Sequence, residues 1–252
     1  MKIVILYLVS FLLLITLNRF DLISNNVFTL GGIAHILLFW PYIIYHFEVV
    51  PRKFKKLGLI LFEELDPQKF IEKLNEFMNA RKMTSRNRIM CGFGLAAGYI
   101  ENGEVSQALE LYTKLSKSRV SRKITYYGHY GISLCYFAQG DLEQGLKYYQ
   151  LFKSVKYKRN SIEHRHYILK FEAIIAYHQG RYEESLSKQY RVLNEAKSEY
   201  RKVLSHFDLA QTYKALGDIQ KHKEHLYYVV ENGNKLHVTK RAKKMLEQLQ
   251  KG

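Results

Sequence analysis

Residues 99–104, 136–141, 177–182 and 213–218 read YIENGE, YFAQGD, YHQGRY and YKALGD, and each string carries one glycine, at positions 103, 140, 180 and 217. The glycines lie 37, 40 and 37 residues apart. A near-constant period in this range marks stacked helical units, none of which can bury its apolar side without a neighbour. Arrays of this kind offer surfaces to partners, so the period points to binding rather than to a reaction.

Placing Gly103 between two helices puts Leu95, Ala96 and Tyr99 on one face of the first and Ala108, Tyr112 and Leu115 on one face of the second. Spacings of three and four are those of a buried helical stripe. The same frame gives Ile132, Ser133 and Tyr136, then Gly145, Tyr149 and Phe152, around Gly140. Around Gly217 it gives Leu209, Ala210 and Tyr213, then His222, Leu226 and Val229. Small residues let paired helices approach while the tyrosines fill the flanks.

This pattern resembles the tetratricopeptide repeat (TPR): Leu-small-x-x-Tyr in the first helix, Gly-acidic at the turn, small-x-x-x-aromatic-x-x-apolar in the second. The resemblance runs from about Ile89 to Lys235. The third unit departs at Glu172, Ala176 and Gln189 and keeps Ala173, Tyr177 and Leu186, whereas the fourth has His222 in place of a small residue. No unit has the family's Trp or terminal Pro. The resemblance implies an all-α solenoid of about four helix pairs over residues 89–237, a basic linker with capping helices over 51–88, and a C-terminal capping helix over 238–252. Ile60 to Met83 would cap the front of the stack, and Ala242, Met245, Leu246 and Leu249 would be the inner face of the rear cap. It also implies a concave groove lined by the first helices. Carried over, the groove positions are Met90, Phe93, Ala97 and Ile100; Tyr127, Tyr130, Leu134 and Phe137; Tyr167, Lys170, Ile174 and Tyr177; and Leu204, Phe207, Gln211 and Lys214. Such a groove, aromatic with scattered cations, suits an apolar or amphipathic peptide with an acidic patch. The family's carboxylate clamp is not matched.

The first fifty residues have another character. IVILYLVSFLLLITL (residues 3–17) and the stretch from Val27 to Tyr45 are apolar runs, and a bilayer core of ~30 Å takes about 20 helical residues. They are read as a transmembrane hairpin over residues 1–50. A cleavable signal peptide is the competing reading of the first run, but no small-x-small site follows Leu17. Arg52, Lys53, Lys55 and Lys56 at the exit of the second run, with Trp40, Tyr42 and Tyr45 before them, place the rest of the chain in the cytoplasm. His35 and His46 are the awkward residues of the second run and its exit, and without an intramembrane carboxylate before Glu48 they do not outline a proton path.

Of 39 lysines and arginines, 37 follow residue 50, as do 21 of the 23 acids, so this part carries the whole net charge of +16. Turns inside the pairs are neutral to acidic: Glu101 and Glu104, Asp141 and Glu143, Glu183 and Glu184, Asp218. Junctions between pairs are basic: Lys114, Lys117, Arg119, Arg122 and Lys123; Lys153, Lys156, Lys158 and Arg159; Lys197, Arg201 and Lys202. The two kinds of turn fall on opposite edges of a stack. Basic residues at helix C-termini complement the macrodipole, but four or five per junction exceed that need. The expectation is a positive edge resting on an anionic membrane surface.

Only three prolines occur, the last at Pro67, so nothing beyond it breaks a helix. Cys91 and Cys135 lie among apolar neighbours and read as buried thiols. His164 and His166 diverge on a helix, and His222 and His225 share a face without a third ligand nearby in sequence. No phosphate loop, nucleophile–base pair or metal motif is present, so no cofactor and no catalysis are expected. Tyr127, Tyr130, Tyr167 and Tyr177 on a basic stripe are also compatible with stacking on RNA bases, although no nucleic-acid module accompanies them. The expectation is a membrane-anchored scaffold that recruits a protein or peptide. The alternative is a tethered regulator that binds a signalling peptide or RNA.

Overall fold

The computed structural model describes residues 2–80, 83–117, 121–157 and 160–251, with the side chains of 2–8, 38, 39 and 251 left aside. It divides into two compact units, 1–55 and 56–252. All regular elements among the described residues are helices: α1 (Lys2–Arg19), α2 (Asn25–Ile44), a π turn (Tyr45–Val49), α3 (Val50–Phe62), α4 (Pro67–Asn79), α5 (Ser85–Asn102), α6 (Val105–Ser116), α7 (Arg122–Gln139), α8 (Leu142–Ser154), α9 (Ile162–His178), α10 (Tyr182–Asn194), α11 (Glu199–Leu216), α12 (Ile219–Asn232) and α13 (His237–Lys251).

In the first unit, α1 and α2 pack through small and polar residues. Leu14 covers Gly31, and His35 meets Ser10 Oγ at 2.8 Å and the Gly31 carbonyl at 2.9 Å. His35 is thus satisfied inside the helix pair. Leu12, Leu13, Leu30, Ile36, Leu37 and Trp40 are exposed.

The helix that carries the second apolar run continues past Tyr45. One helix runs from Asn25 to Phe62, through Pro41 and Pro51. A proline lacks the amide proton and crowds the carbonyl four residues back. Ahead of Pro51 the chain widens into the π turn, where the Val50 amide reaches back five residues to the Tyr45 carbonyl, and the helix continues. By length and composition this helix can cross a membrane. It is the one helix among the described residues that meets that test, because the described apolar part of the first run, Val9–Arg19, is too short.

In the second unit α5–α6, α7–α8, α9–α10 and α11–α12 form four antiparallel pairs built to one template. Each first helix starts at a Ser or Thr cap, Thr84, Ser121, Ser161 or Ser198, whose side chain accepts from the amide three residues on. Each ends 19 residues later at a left-handed glycine, with φ of 87°, 81°, 74° and 79° at Gly103, Gly140, Gly180 and Gly217. A six-residue bond closes every turn: Glu104 N to Tyr99 O, Asp141 N to Tyr136 O, Arg181 N to Ala176 O and Asp218 N to Tyr213 O, all between 2.8 and 3.0 Å. Only a residue without Cβ adopts this conformation without strain. Asp141 and Asp218 then cap the following helices. The three extra residues of the 40-residue spacing lie after Gly140, between it and the Ser161 cap.

The two helices of a pair meet at residues 12 apart: Ala96 and Ala108, Ser133 and Gly145, Ala173 and Ser185, Ala210 and His222, all buried. The first contact is methyl on methyl. In the others a polar group bonds a carbonyl across the interface: Ser133 Oγ to Gly145 O at 2.8 Å, Ser185 Oγ to Ala173 O at 2.8 Å, and His222 Nδ1 with Ala210 O at 2.7 Å. His222 is therefore accommodated as a pin. Gln189, standing where an aromatic was expected, is buried and bonded to Ser185 and Thr212. Between pairs, Tyr112 lies over Gly131 and Ser116 over Gly128.

The front and rear of the stack do not cap separate ends. α4 packs on α5 and α13 on α12, but the turn after α3 also reaches the far end of the array. Leu65 is buried with Val203, Phe207, Leu226, Leu236, Ala242 and Leu246. Its carbonyl accepts from the Lys235 amide at 3.2 Å, and Asn234 Nδ2 donates to the Glu64 carbonyl at 2.5 Å. The Lys235 ammonium donates to Asp66 at 2.6 Å, and His237 sits over Gly103. Lys235 stands 18 residues after Gly217, the place taken by the Ser caps after Gly103 and Gly180. The array turns back on itself and closes there. Leu65 and Asn234, on either side of the closure, both adopt positive φ, 54° and 44°.

Candidate partner-binding channel

Closing the array brings α5, α7, α9, α11 and α13 around a shared interior. The Tyr130 and Tyr167 rings lie with centroids 4.2 Å apart, tilted by 34°, and Tyr130 packs edge-on to Phe171. The Tyr127 and Tyr167 hydroxyls both donate to Glu163, at 3.1 and 3.0 Å. These three tyrosines are half-buried among one another and Glu163.

The remaining groove positions separate into two groups. Phe137 and Phe207 are 5% exposed and belong to the helix–helix cores, and Phe93 and Ile100 pack against the α5–α6–α7 core. Phe137 and Phe207 are thereby corrected from groove to packing residues, whereas Phe93 and Ile100 are half-buried. Tyr177 is half-buried against Tyr182, Lys170 is half-buried, and Lys214 is exposed.

The sequence reading missed the charged residues beside these positions. Glu101, assigned there to the acidic edge, is buried, and Tyr200 donates to it at 2.6 Å. Asp208 and Lys170 face a common crevice, and Arg241 of α13 lies over the Phe207 ring. Burial pushes the Glu101 and Asp208 carboxyls upward; Tyr200 and Lys170 oppose this at Glu101, and Lys170 and Arg241 at Asp208. Burial disfavours the Lys170 charge, but Tyr130, Asp208 and Glu101 outweigh it, so its ammonium is held above the ordinary lysine range. The inner side of the array therefore carries aromatic rings and charges of both signs. One signal was available: Glu101 and Asp208 directly follow the groove positions Ile100 and Phe207.

In the first unit Arg52, Lys53 and Lys55 are exposed, and Arg52 pairs with Glu48. In the second unit Lys56, Lys117, Arg122, Lys123, Lys156 and Arg201 are exposed, while Lys202 is half-buried and paired with Glu199. Arg119, Lys158 and Arg159 lie outside the described residues.

His164 bonds the Tyr126 hydroxyl at 2.9 Å, and His206 and His225 share a bond between their Nδ1 atoms at 2.8 Å. Among the described residues no three His, Cys, Asp or Glu side chains are grouped to hold a metal ion. Cys91 and Cys135 are buried thiols, pushed by burial up to about 11 and about 12.

No family model matches the chain, and no curated protein matches it in sequence. Among solved structures it is similar to a crystal structure described as a kinesin light chain of Podosopora anserina with nearly identical TPR-like repeats. That likeness has 18% identity, covers 75% of this chain and 93% of that one, and has a TM-score of 0.39.

Proposed function

We propose that the protein is a non-catalytic, membrane-anchored scaffold of TPR type that recruits a protein or peptide partner into the channel. The observation that carries this reading is the interior itself: Lys170, Asp208 and Arg241 are gathered by the closure of the array around an aromatic wall, where charge is costly unless something uses it. Anchoring falls to the Asn25–Phe62 helix, with α1 as the second arm of a two-span hairpin and the array in the cytoplasm.

Crosslinking of the full chain in its native membrane, followed by mass spectrometry, tests recruitment. Partner crosslinks should map to Tyr177 and Lys214 and be lost in a Tyr177→Ala, Lys214→Glu variant that keeps its melting temperature. Unchanged crosslinks in that variant place the interface elsewhere.

The exposed cations Lys117, Arg122, Lys123, Lys156 and Arg201 make no ion pair among the described residues, which favours contact of that edge with an anionic bilayer. In nanodiscs, acetylation of Lys117, Lys123 and Lys156 should be slower with anionic than with zwitterionic lipid. Equal rates remove the membrane-surface role.

A further inference from the structure

The four turns inside the helix pairs close on the same left-handed glycine and the same six-residue bond, so they can be compared position by position. Directly before the glycine the first three carry amides that are hydrogen-bonded: Asn102 to Gln68 at 3.1 Å, Gln139 to Ser106 at 3.4 Å, and Gln179 to Arg181. The fourth carries Leu216, 38% exposed. Two residues after the glycine, Val105 and Leu142 pack against the helix–helix cores and Tyr182 against Tyr177, whereas Ile219 is 44% exposed. The charge changes with them. Residues 100–107 and 137–144 each carry −2 (Glu101 and Glu104; Asp141 and Glu143), and 177–184 carry −1 (Arg181 against Glu183 and Glu184). Residues 214–221 carry +1, because Lys214 stands where Ile100, Phe137 and Tyr177 stand, and Lys221 where Gln107, Gln144 and Glu184 stand.

A single exposed leucine is ordinary on a protein surface. Here two apolar side chains stand on either side of Gly217 and Asp218, with Lys214 in the last turn of α11 and Lys221 in the first turn of α12, and both lysines are exposed. The Lys221 ammonium lies 5.0 Å from the centroid of the Tyr213 ring, and neither lysine makes an ion pair among the described residues. Asp218 is committed to capping α12, where it accepts from the Lys221 amide at 3.0 Å. An apolar centre between two uncompensated cations complements a segment that carries an apolar residue between carboxylates: burial of the apolar surface holds such a segment, and the rim charges select it. We propose that the α11–α12 turn is a second docking surface, separate from the channel, for an acidic segment of a partner protein that seats an apolar side chain on Leu216 and Ile219 and places carboxylates at Lys214 and Lys221. A bilayer is the less suitable occupant, since turns inside the pairs and the basic junctions fall on opposite edges of a stack.

The test places the photoreactive residue p-benzoylphenylalanine at the exposed Gln220 position of the full chain in its native membrane, and the crosslinked peptide is sequenced. It should come from another protein and carry Asp or Glu on both sides of the crosslinked residue. Its yield should fall about fivefold as salt rises from about 0.1 to about 0.5 M, because exposed charges are screened. Leu216→Gln combined with Lys221→Gln gives the fourth turn what Gln139 and Gln144 give the second, a combination this array already folds with. That variant should lose the crosslink and keep its melting temperature. The sequenced peptide and the salt series need no substitution in the docking surface itself. Tyr177→Ala, which alters the channel, should leave the crosslink in place, so the two readings stand or fall separately. Crosslinks to lipid alone, to a second copy of this chain or to a segment without carboxylates overturn the proposal. So do the absence of any crosslink, a yield indifferent to salt or to the double substitution, and loss of the crosslink in Tyr177→Ala.

Discussion

The ammonium of Lys235 donates to the carboxylate of Asp66 at 2.6 Å, joining the first turn of the array to its last. Asp66 also caps α4 through the Lys69 amide at 3.1 Å. Burial opposes its charge, but Lys235 and Lys69 more than offset that and hold the carboxyl below its usual range. The partners of this ion pair are unequal, Asp66 enclosed and Lys235 in solvent, so the pair itself contributes about 1 kcal/mol or less. The adjacent Leu65 is enclosed by the C-terminal core and contributes more.

Leu65→Ala should therefore cost about 2–4 kcal/mol, and Asp66→Asn about 1 kcal/mol. Hydrogen exchange checks where the loss occurs. In Leu65→Ala, amides of α12 and α13 should exchange faster than those of α7 and α8. Uniform acceleration throughout the array would show that the closure is not a local contact.

Gly103 and Gly140 provide an internal control. Both are left-handed, but a Cβ on Gly140 would meet open space, whereas one on Gly103 would enter the His237 ring. Gly140→Ala should cost about 1–2 kcal/mol, the strain of the backbone alone. Gly103→Ala should cost more, and His237→Ala should recover the excess in the double variant. Chemical denaturation of the four proteins measures this, and equal costs at the two glycines would refute the His237 contact.

Acid should weaken the fold well above the carboxylate range. Burial, and then the neighbouring His225, push His206 down to about 4, against the pull of Glu199, while burial also lowers His166, His222, His225 and His237. Unfolding frees these rings to bind protons near 6.5, so the unfolded chain holds more protons between about 6.5 and 4. Stability is full above that window and falls as pH drops through it. His206→Gln, which keeps a planar polar group on the Tyr228 ring, should lose less between pH 7 and 5. A flat profile for the unaltered chain, from urea titrations at each pH, would contradict the assignment.

Cys91 and Cys135 should resist thiol reagents in the folded protein at pH 8, since burial keeps both protonated and enclosed. Labelling should become rapid only in denaturant. Fast labelling of the native chain would mean that α5 or α7 opens readily.

The helix pairs were legible because their determinants are local. A left-handed glycine, the acidic cap after it and small residues 12 apart all lie within one unit. A second period went unread: Thr84, Ser121, Ser161 and Ser198 repeat the 37, 40 and 37 spacing of the glycines and mark where each first helix begins. Gln189 and His222 looked like losses of pattern because a polar pin and a small residue satisfy the same interface by different means. The channel was half legible. Of the carried-over positions, Tyr130, Tyr167 and Lys170 are half-buried, while Phe137 and Phe207 are buried in the helix–helix cores. The carry-over left out Glu101, Asp208 and Arg241, whose proximity depends on the closure. That closure joins residues 169 apart, and no periodicity encodes such a contact.

Because Leu65 completes the last core, the array has no free terminal unit. An open solenoid can gain or lose a repeat and frays from its ends, each unit answering only to its neighbours. Here removal of any pair would draw Leu65 out of its socket, so the number of pairs is fixed by geometry. The second unit should melt as one cooperative body, with no partially unravelled species between folded and unfolded.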